Sequence, residues 1–98
     1  MGSSETGLER FLVEWYGPGV PPGFISETAD RLNDGATSTS ARGTKIQLLM
    51  ALAIPADDYA FGIFAAESAE TVAQVCAEAG APAERISAAV GWSNTRVS

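Results

Sequence analysis

Two apolar runs joined by a short turn constrain this chain more than any other feature. The runs are Lys45–Ile54 and Tyr59–Ala66, and Pro55–Asp58 lies between them. Apolar runs of strand length that flank a turn of proline and aspartate predict a β-hairpin. Both runs carry apolar residues on both faces of the predicted strands. Each face of the hairpin must therefore pack against another part of the protein or against another chain.

A strand and a helix are predicted before the hairpin. Glu9–Tyr16 is predicted to be a strand, because its residues are rich in aromatic and β-branched types. One face would carry Phe11, Val13 and Trp15, and the other would carry Leu12, Glu14 and Tyr16. The segment Gly17–Gly23 is rich in proline and glycine and excludes regular structure. The helix that follows has apolar residues along one face, at Ile25, Ala29, Leu32 and Ala36. It either stops near Gly35 or runs to Arg42, and we expect the longer helix because a long ordered loop would be unusual here.

A second helix and a last strand follow the hairpin. Ser68 is placed to cap the helix, and Gly80 and Pro82 end it. The apolar face of this helix is predicted at Val72, Val75, Cys76 and Ala79. On this face Cys76 is expected to be a small buried hydrophobe rather than a reactive thiol. Alternating apolar residues then predict a strand over Glu84–Val90.

The order β-α-β-β-α-β predicts an α+β fold of the ferredoxin-like, or split β-α-β, type. Such a fold is a four-stranded antiparallel sheet with two helices on one face, and residues 8–91 form it as a single domain. We expect residues 1–7 to be a flexible N-terminus and residues 92–98 to be a C-terminal tail. Because the helices cover only one face of an apolar sheet, the second face predicts a homodimer with sheet-on-sheet packing.

Composition narrows the possible functions. The chain has one cysteine and no histidine, which excludes an internal disulfide, a cysteine-cluster metal site and a Ser/His/Asp triad. The formal net charge is −6 and the six basic residues form no cluster, so we expect no binding of nucleic acid. No apolar stretch approaches the ~20 residues of a membrane span. Met1–Glu5 has no basic start of a signal peptide, so a cytoplasmic location is expected.

Three blocks of the chain, Phe11–Gly19, Pro55–Glu70 and Ala79–Ile86, occur in this order along the sequence. They resemble the opening, second and closing blocks of a small bacterial family of unknown function that includes a nickel-binding actinobacterial protein. The resemblance extends from about Leu8 to Val90. It implies a ferredoxin-like fold, dimers and metal binding.

The metal site is where this chain departs from the family. Family members often carry a histidine in the second strand, at a position that corresponds to Met50 here. A thioether at that position suits a soft ion such as Cu(I) better than a borderline divalent ion. The nickel site implied by the resemblance therefore cannot simply be transferred to this chain.

Four residues are candidates for binding a ligand: Glu14, Tyr16, Met50 and Tyr59. Glu14 lies inside an apolar strand, where it could ligate a cation or accept a proton, or could merely face solvent. Met50 could line a cavity, or fill the core or an interface as methionine usually does. The two tyrosines could offer phenolic hydrogen bonds at a cavity mouth, or only bridge the core and water.

These candidates leave three functions open. The first is a small dimeric protein that binds a metal ion or a small ligand at the sheet face. The second is a cofactor-free enzyme of the dimeric α/β-barrel type, with Glu14 as its base. The third is an accessory module that binds a protein partner through the apolar sheet. We expect a binding protein rather than an enzyme, and the residue types identify neither a cofactor nor a metal.

Overall fold

A computed structural model describes residues 8–90 of the 98-residue chain. The elements in chain order are β1 (Glu9–Tyr16), α1 (Ala29–Ala41), β2 (Ile46–Ile54), β3 (Tyr59–Ala66), α2 (Ala69–Glu78) and β4 (Arg85–Ala89). The predicted flexible N-terminus at residues 1–7 and the predicted tail at residues 92–98 lie outside the described residues, as does the last residue of the predicted domain. Within residues 8–90, no helix is both long and apolar enough to cross a membrane.

The four strands form one antiparallel sheet in the order β2-β3-β1-β4. This order, with β1 and β3 at the centre and two helices between the strands in sequence, is the ferredoxin-like arrangement. The predicted α+β fold class is therefore confirmed. Both β1 and β3 begin and end where the alternation predicts, whereas β4 is shorter at both ends than the predicted Glu84–Val90.

The core lies between the helices and one face of the sheet. Alternate residues of β1 enter it, and Val13 and Trp15 are fully buried there. The Trp15 indole Nε1 donates a hydrogen bond to the carbonyl oxygen of Ala81 at 3.0 Å, so its polar atom is satisfied in the interior. This bond ties the centre of the sheet to the segment that leads from α2 into β4.

The apolar face of the first helix differs from the prediction at its start. Ile25 was expected on the buried face, but its side chain is 52% exposed, and Phe24 and Thr28 are buried instead. Phe24–Thr28 forms a π-helical turn before α1, and a wider turn changes which residues share a face. The Phe24 ring packs 5.0 Å from the Trp15 ring, which holds Phe24 inward. The prediction of the longer helix is confirmed, because α1 continues to Ala41.

The second helix has the cap and the buried face that the sequence predicts. The Ser68 side chain accepts a hydrogen bond from the backbone N–H of Thr71, one of the free donors in the first turn. Val72, Val75 and Cys76 are buried against the sheet. The prediction that Cys76 is buried is confirmed, and burial raises the pKa of its thiol to about 12.

A β-bulge interrupts β2 at Leu49. Leu48 pairs with Phe64 and Met50 pairs with Ile63, so Leu49 has no partner of its own on β3. An unpaired extra residue reverses which side chains face which side of a strand. Beyond the bulge, Met50 therefore lies on the same face as Ile63 and away from the helices.

Candidate ligand site

The sheet face opposite the helices, here called the open face, is mostly apolar. Within residues 8–90, seven large apolar side chains are exposed, and five of them belong to β1 or β2, namely Tyr16, Leu49, Met50, Leu52 and Ile54. Their exposed fractions lie between 37% and 47%. Exposed apolar side chains concentrated on one surface are typical of a surface that binds a protein or a ligand.

Glu14 lies in the middle of this apolar surface. It is opposite Phe61 on β3 and opposite Arg85 on β4, and only 17% of its side chain is exposed. The Tyr59 hydroxyl donates a hydrogen bond to Oε2 of Glu14 at 2.6 Å. The Arg85 Nε atom lies 3.9 Å from Oε1, which is an ion pair but too long for a hydrogen bond. One oxygen of the carboxylate is therefore firmly held, and the other is not.

Tyr59 keeps its proton well beyond neutral pH. The hydrogen bond to the Glu14 carboxylate, with a smaller effect of burial, raises the pKa of Tyr59 to about 12. A phenolate next to the carboxylate would be disfavoured by like charge. The pair therefore acts as a neutral donor and a charged acceptor.

Tyr16 completes an aromatic group beside Glu14. Tyr16 and Tyr59 are direct cross-strand partners, and their rings are nearly parallel at 7° with centroids 6.4 Å apart. The Phe61 ring lies 5.9 Å from the Tyr59 ring. The backbone N–H of Gly17 donates to the carbonyl oxygen of Asp58 at 2.8 Å, which holds the two tyrosine-bearing strand ends together.

Met50 is on the open face but in a different part of it. It pairs with Ile63, which in turn pairs with Leu12, whereas Glu14 pairs with Phe61. The structure thus brings together three of the four candidate residues, Glu14, Tyr16 and Tyr59. Met50 is separated from Glu14 by the intervening strand β3 and by two residues along the strand direction.

Arg85 is the member of this group that the sequence analysis missed. It lies within the predicted last strand, Glu84–Val90, and the sequence analysis gave it no role. An arginine and a glutamate on neighbouring strands, both facing away from the core, were the available signal. That signal becomes usable only once the pairing register of β1 with β4 is known.

A cavity of about 520 Å3 adjoins the tyrosine end of the sheet. Its walls are the segment from Gly17 to Ser26 and the turn between β2 and β3, and Tyr59 is one of its lining residues. Prolines and other apolar side chains make up most of the walls. A cavity of this size can accept a small organic molecule.

The side chains at the site do not match a metal site. Among residues 8–90, no three His, Cys, Asp or Glu side chains are grouped so that they could hold an ion. Glu14 brings one carboxylate, and its Oε2 already accepts a hydrogen bond from the Tyr59 hydroxyl. Even a symmetric pair of such sites would supply two carboxylates, fewer than the ligand sets that metal ions take from proteins.

Comparisons with known proteins bear on the fold. No family model matches this chain. No curated protein matches it either. Among solved structures, the crystal structure of SCO4226 from Streptomyces coelicolor A3(2) is similar, with 21% sequence identity and a TM-score of 0.64, and the match covers 87% of this chain and 99% of that one. At that identity the similarity supports the ferredoxin-like fold alone, and the family resemblance of the three sequence blocks stays a prediction.

Proposed function

We propose that this protein is a homodimeric binding protein in which two open faces pack together and hold a small organic ligand beside Glu14. The observation that carries the proposal is the Glu14 carboxylate, which is 17% exposed within an otherwise apolar surface. The apolar surface is the argument for a dimer, and the partly buried carboxylate is the argument for a ligand.

The open face is suited to a symmetric interface. At the usual strand spacing and rise, a sheet of this kind spans about 19 Å by 26 Å, or roughly 500 Å2 in plane. Side-chain relief increases the accessible area above that figure, toward the ~600 Å2 per partner of small specific interfaces. In a two-fold dimer the same apolar surface covers itself, so no second kind of surface is needed.

A dimer of this kind would leave Glu14 in need of a partner. Within residues 8–90, Oε1 accepts no hydrogen bond, and Arg85 approaches it only to 3.9 Å. Burial of a carboxylate is costly unless its oxygens are hydrogen-bonded. A ligand that donates to Oε1 would supply that partner. An organic ligand fits this better than the metal ion that the family resemblance implies, because one carboxylate and a protonated phenol are a poor metal site.

The test is the oligomeric state of two matched variants. Leu52→Asp introduces a charge on the open face, where Leu52 is 42% exposed, and Ile25→Asp introduces one on the helix side, where Ile25 is 52% exposed. In sedimentation equilibrium at about 50 μM, the unchanged protein and Ile25→Asp should be dimers, and Leu52→Asp should be a monomer with unchanged far-UV circular dichroism.

Two outcomes would contradict the proposal. The first is a monomer at every concentration for the unchanged protein, which is the result that an accessory module with a different partner predicts. The second is a Leu52→Asp variant that dimerises as strongly as Ile25→Asp, because the interface would then lie elsewhere.

A further inference from the structure

Three aromatic rings lie in a row beside Glu14 on the open face. Tyr16, Tyr59 and Phe61 are neighbours on the open face, with centroid distances of 6.4 Å and 5.9 Å along the row. The faces of such rings carry partial negative charge and attract cations. An anion would be repelled by the Glu14 carboxylate, which a cation would meet favourably.

The carboxylate of Glu14 already has a cation nearby, but it is weakly held. Arg85 lies 3.9 Å away, and its side chain is 67% exposed. An ion pair with one exposed partner at this distance is weakened by water around that partner. The Arg85 guanidinium therefore shields Glu14 from water only in part and can be displaced by a cation that fits the site better.

We propose that the ligand is an organic cation, an ammonium group on an apolar body, bound with its N–H groups toward Oε1 of Glu14 and its apolar part against the tyrosine rings. This inference rests on the proposed function and adds the chemical class of the ligand. An organic ammonium is less strongly hydrated than a metal ion, so aromatic faces and a single carboxylate are enough to replace its water. The net charge of −6 also favours the approach of cations.

Three small probes of similar shape test the class: 2-phenylethylammonium, 2-phenylethanol and 3-phenylpropanoate. Binding to the full-length protein is measured by isothermal titration calorimetry near pH 7. The ammonium should bind at least tenfold more tightly than the alcohol, a difference of about 1.4 kcal/mol, and the propanoate should bind more weakly than both.

Two substitutions act on the charges at the site. Glu14→Gln keeps the shape of the side chain and should weaken binding of the ammonium about tenfold, while it leaves the alcohol unchanged. Arg85→Gln removes the competing cation and should strengthen binding of the ammonium. The matched control is Glu70→Gln on α2, which changes the net charge equally at an exposed position away from the open face and should change nothing.

The outcomes distinguish the proposal of a cationic ligand from the proposal of a dimer. If the protein dimerises as proposed but binds the alcohol as tightly as the ammonium, or binds neither at about 10 mM, the cation inference is overturned and the dimer stands. If it is a monomer that still binds the ammonium with the expected dependence on Glu14, the inference stands and the dimer is overturned. If Glu14→Gln fails to fold, Arg85→Gln decides: binding of the ammonium that weakens or stays the same overturns the inference.

Discussion

Replacing Glu14 tests whether its carboxylate and the Tyr59 phenol are in contact in solution. The chain has two tyrosines, so Tyr16→Phe leaves Tyr59 as the sole phenol. The hydrogen bond to Glu14, followed by burial, raises the pKa of Tyr59 to about 12. At about pH 11 such a phenol is roughly one tenth ionised, whereas a phenol with the ordinary pKa of about 10 is roughly nine tenths ionised.

The measurement is the rise in phenolate absorbance with pH, with circular dichroism as a check that the protein stays folded. In Tyr16→Phe, the midpoint for Tyr59 should lie near pH 12. When Glu14→Gln is added, the midpoint should fall toward 10, because the amide oxygen accepts a hydrogen bond but carries no charge. Glu84→Gln is the matched control, since the Glu84 carboxylate accepts from the backbone N–H of Tyr16 and does not contact the Tyr59 phenol.

The direction of the shift also fixes a pH dependence of stability. The pKa of Tyr59 is raised in the folded state, so its contribution to the free energy of unfolding is complete below about pH 10 and is lost as the pH rises toward about 12. A folded Tyr16→Phe protein with a midpoint near 10 would refute the contact with Glu14. So would a raised midpoint that Glu14→Gln leaves in place.

Two further predictions concern the core. Trp15→Phe should lower the free energy of unfolding in urea by about 2–4 kcal/mol, because it leaves the carbonyl of Ala81 unpaired and opens a void in the fully buried site; a loss below about 1 kcal/mol would contradict this. Cys76, buried and with its pKa raised to about 12, should resist iodoacetamide at about pH 8 in the folded protein and react once guanidinium unfolds it. Equal rates in the two states would show that the thiol is accessible.

Much of the fold follows from short-range patterns. Strands alternate their side chains with a period of two, so the order of apolar residues in Glu9–Tyr16 and Tyr59–Ala66 is enough to place both strands. Ser68 and the apolar spacing after it place α2 in the same way, because both signals lie within one turn or two of the helix. The closeness of Glu14, Tyr16 and Tyr59 then follows from antiparallel pairing of two well-placed strands.

Other features depend on packing between distant segments. The outward direction of Ile25 follows from the π-helical turn, which forms where Phe24 packs on Trp15, a residue from another part of the chain. The spacing of apolar residues within the helix cannot predict a contact with a residue so far away in the sequence. The contact of Arg85 with Glu14 likewise depends on the register of β4, and Met50 is separated from the other candidates because of the bulge at Leu49.

The bulge at Leu49 decides which side chains β2 presents on the open face. In a regular strand, Met50, Leu52 and Ile54 would have the parity of Ile46 and would point toward the helices, and the alanines between them would point outward. Loss of one codon at Leu49 would remove the bulge and keep Met50, Leu52 and Ile54 on the open face, whereas regular pairing of the unshortened strand would exchange the two sides. The same composition would then give an overfilled interior and a smooth, alanine-lined exterior. The apolar character of the open face thus depends on how β2 pairs with β3 as much as on the residues of β2.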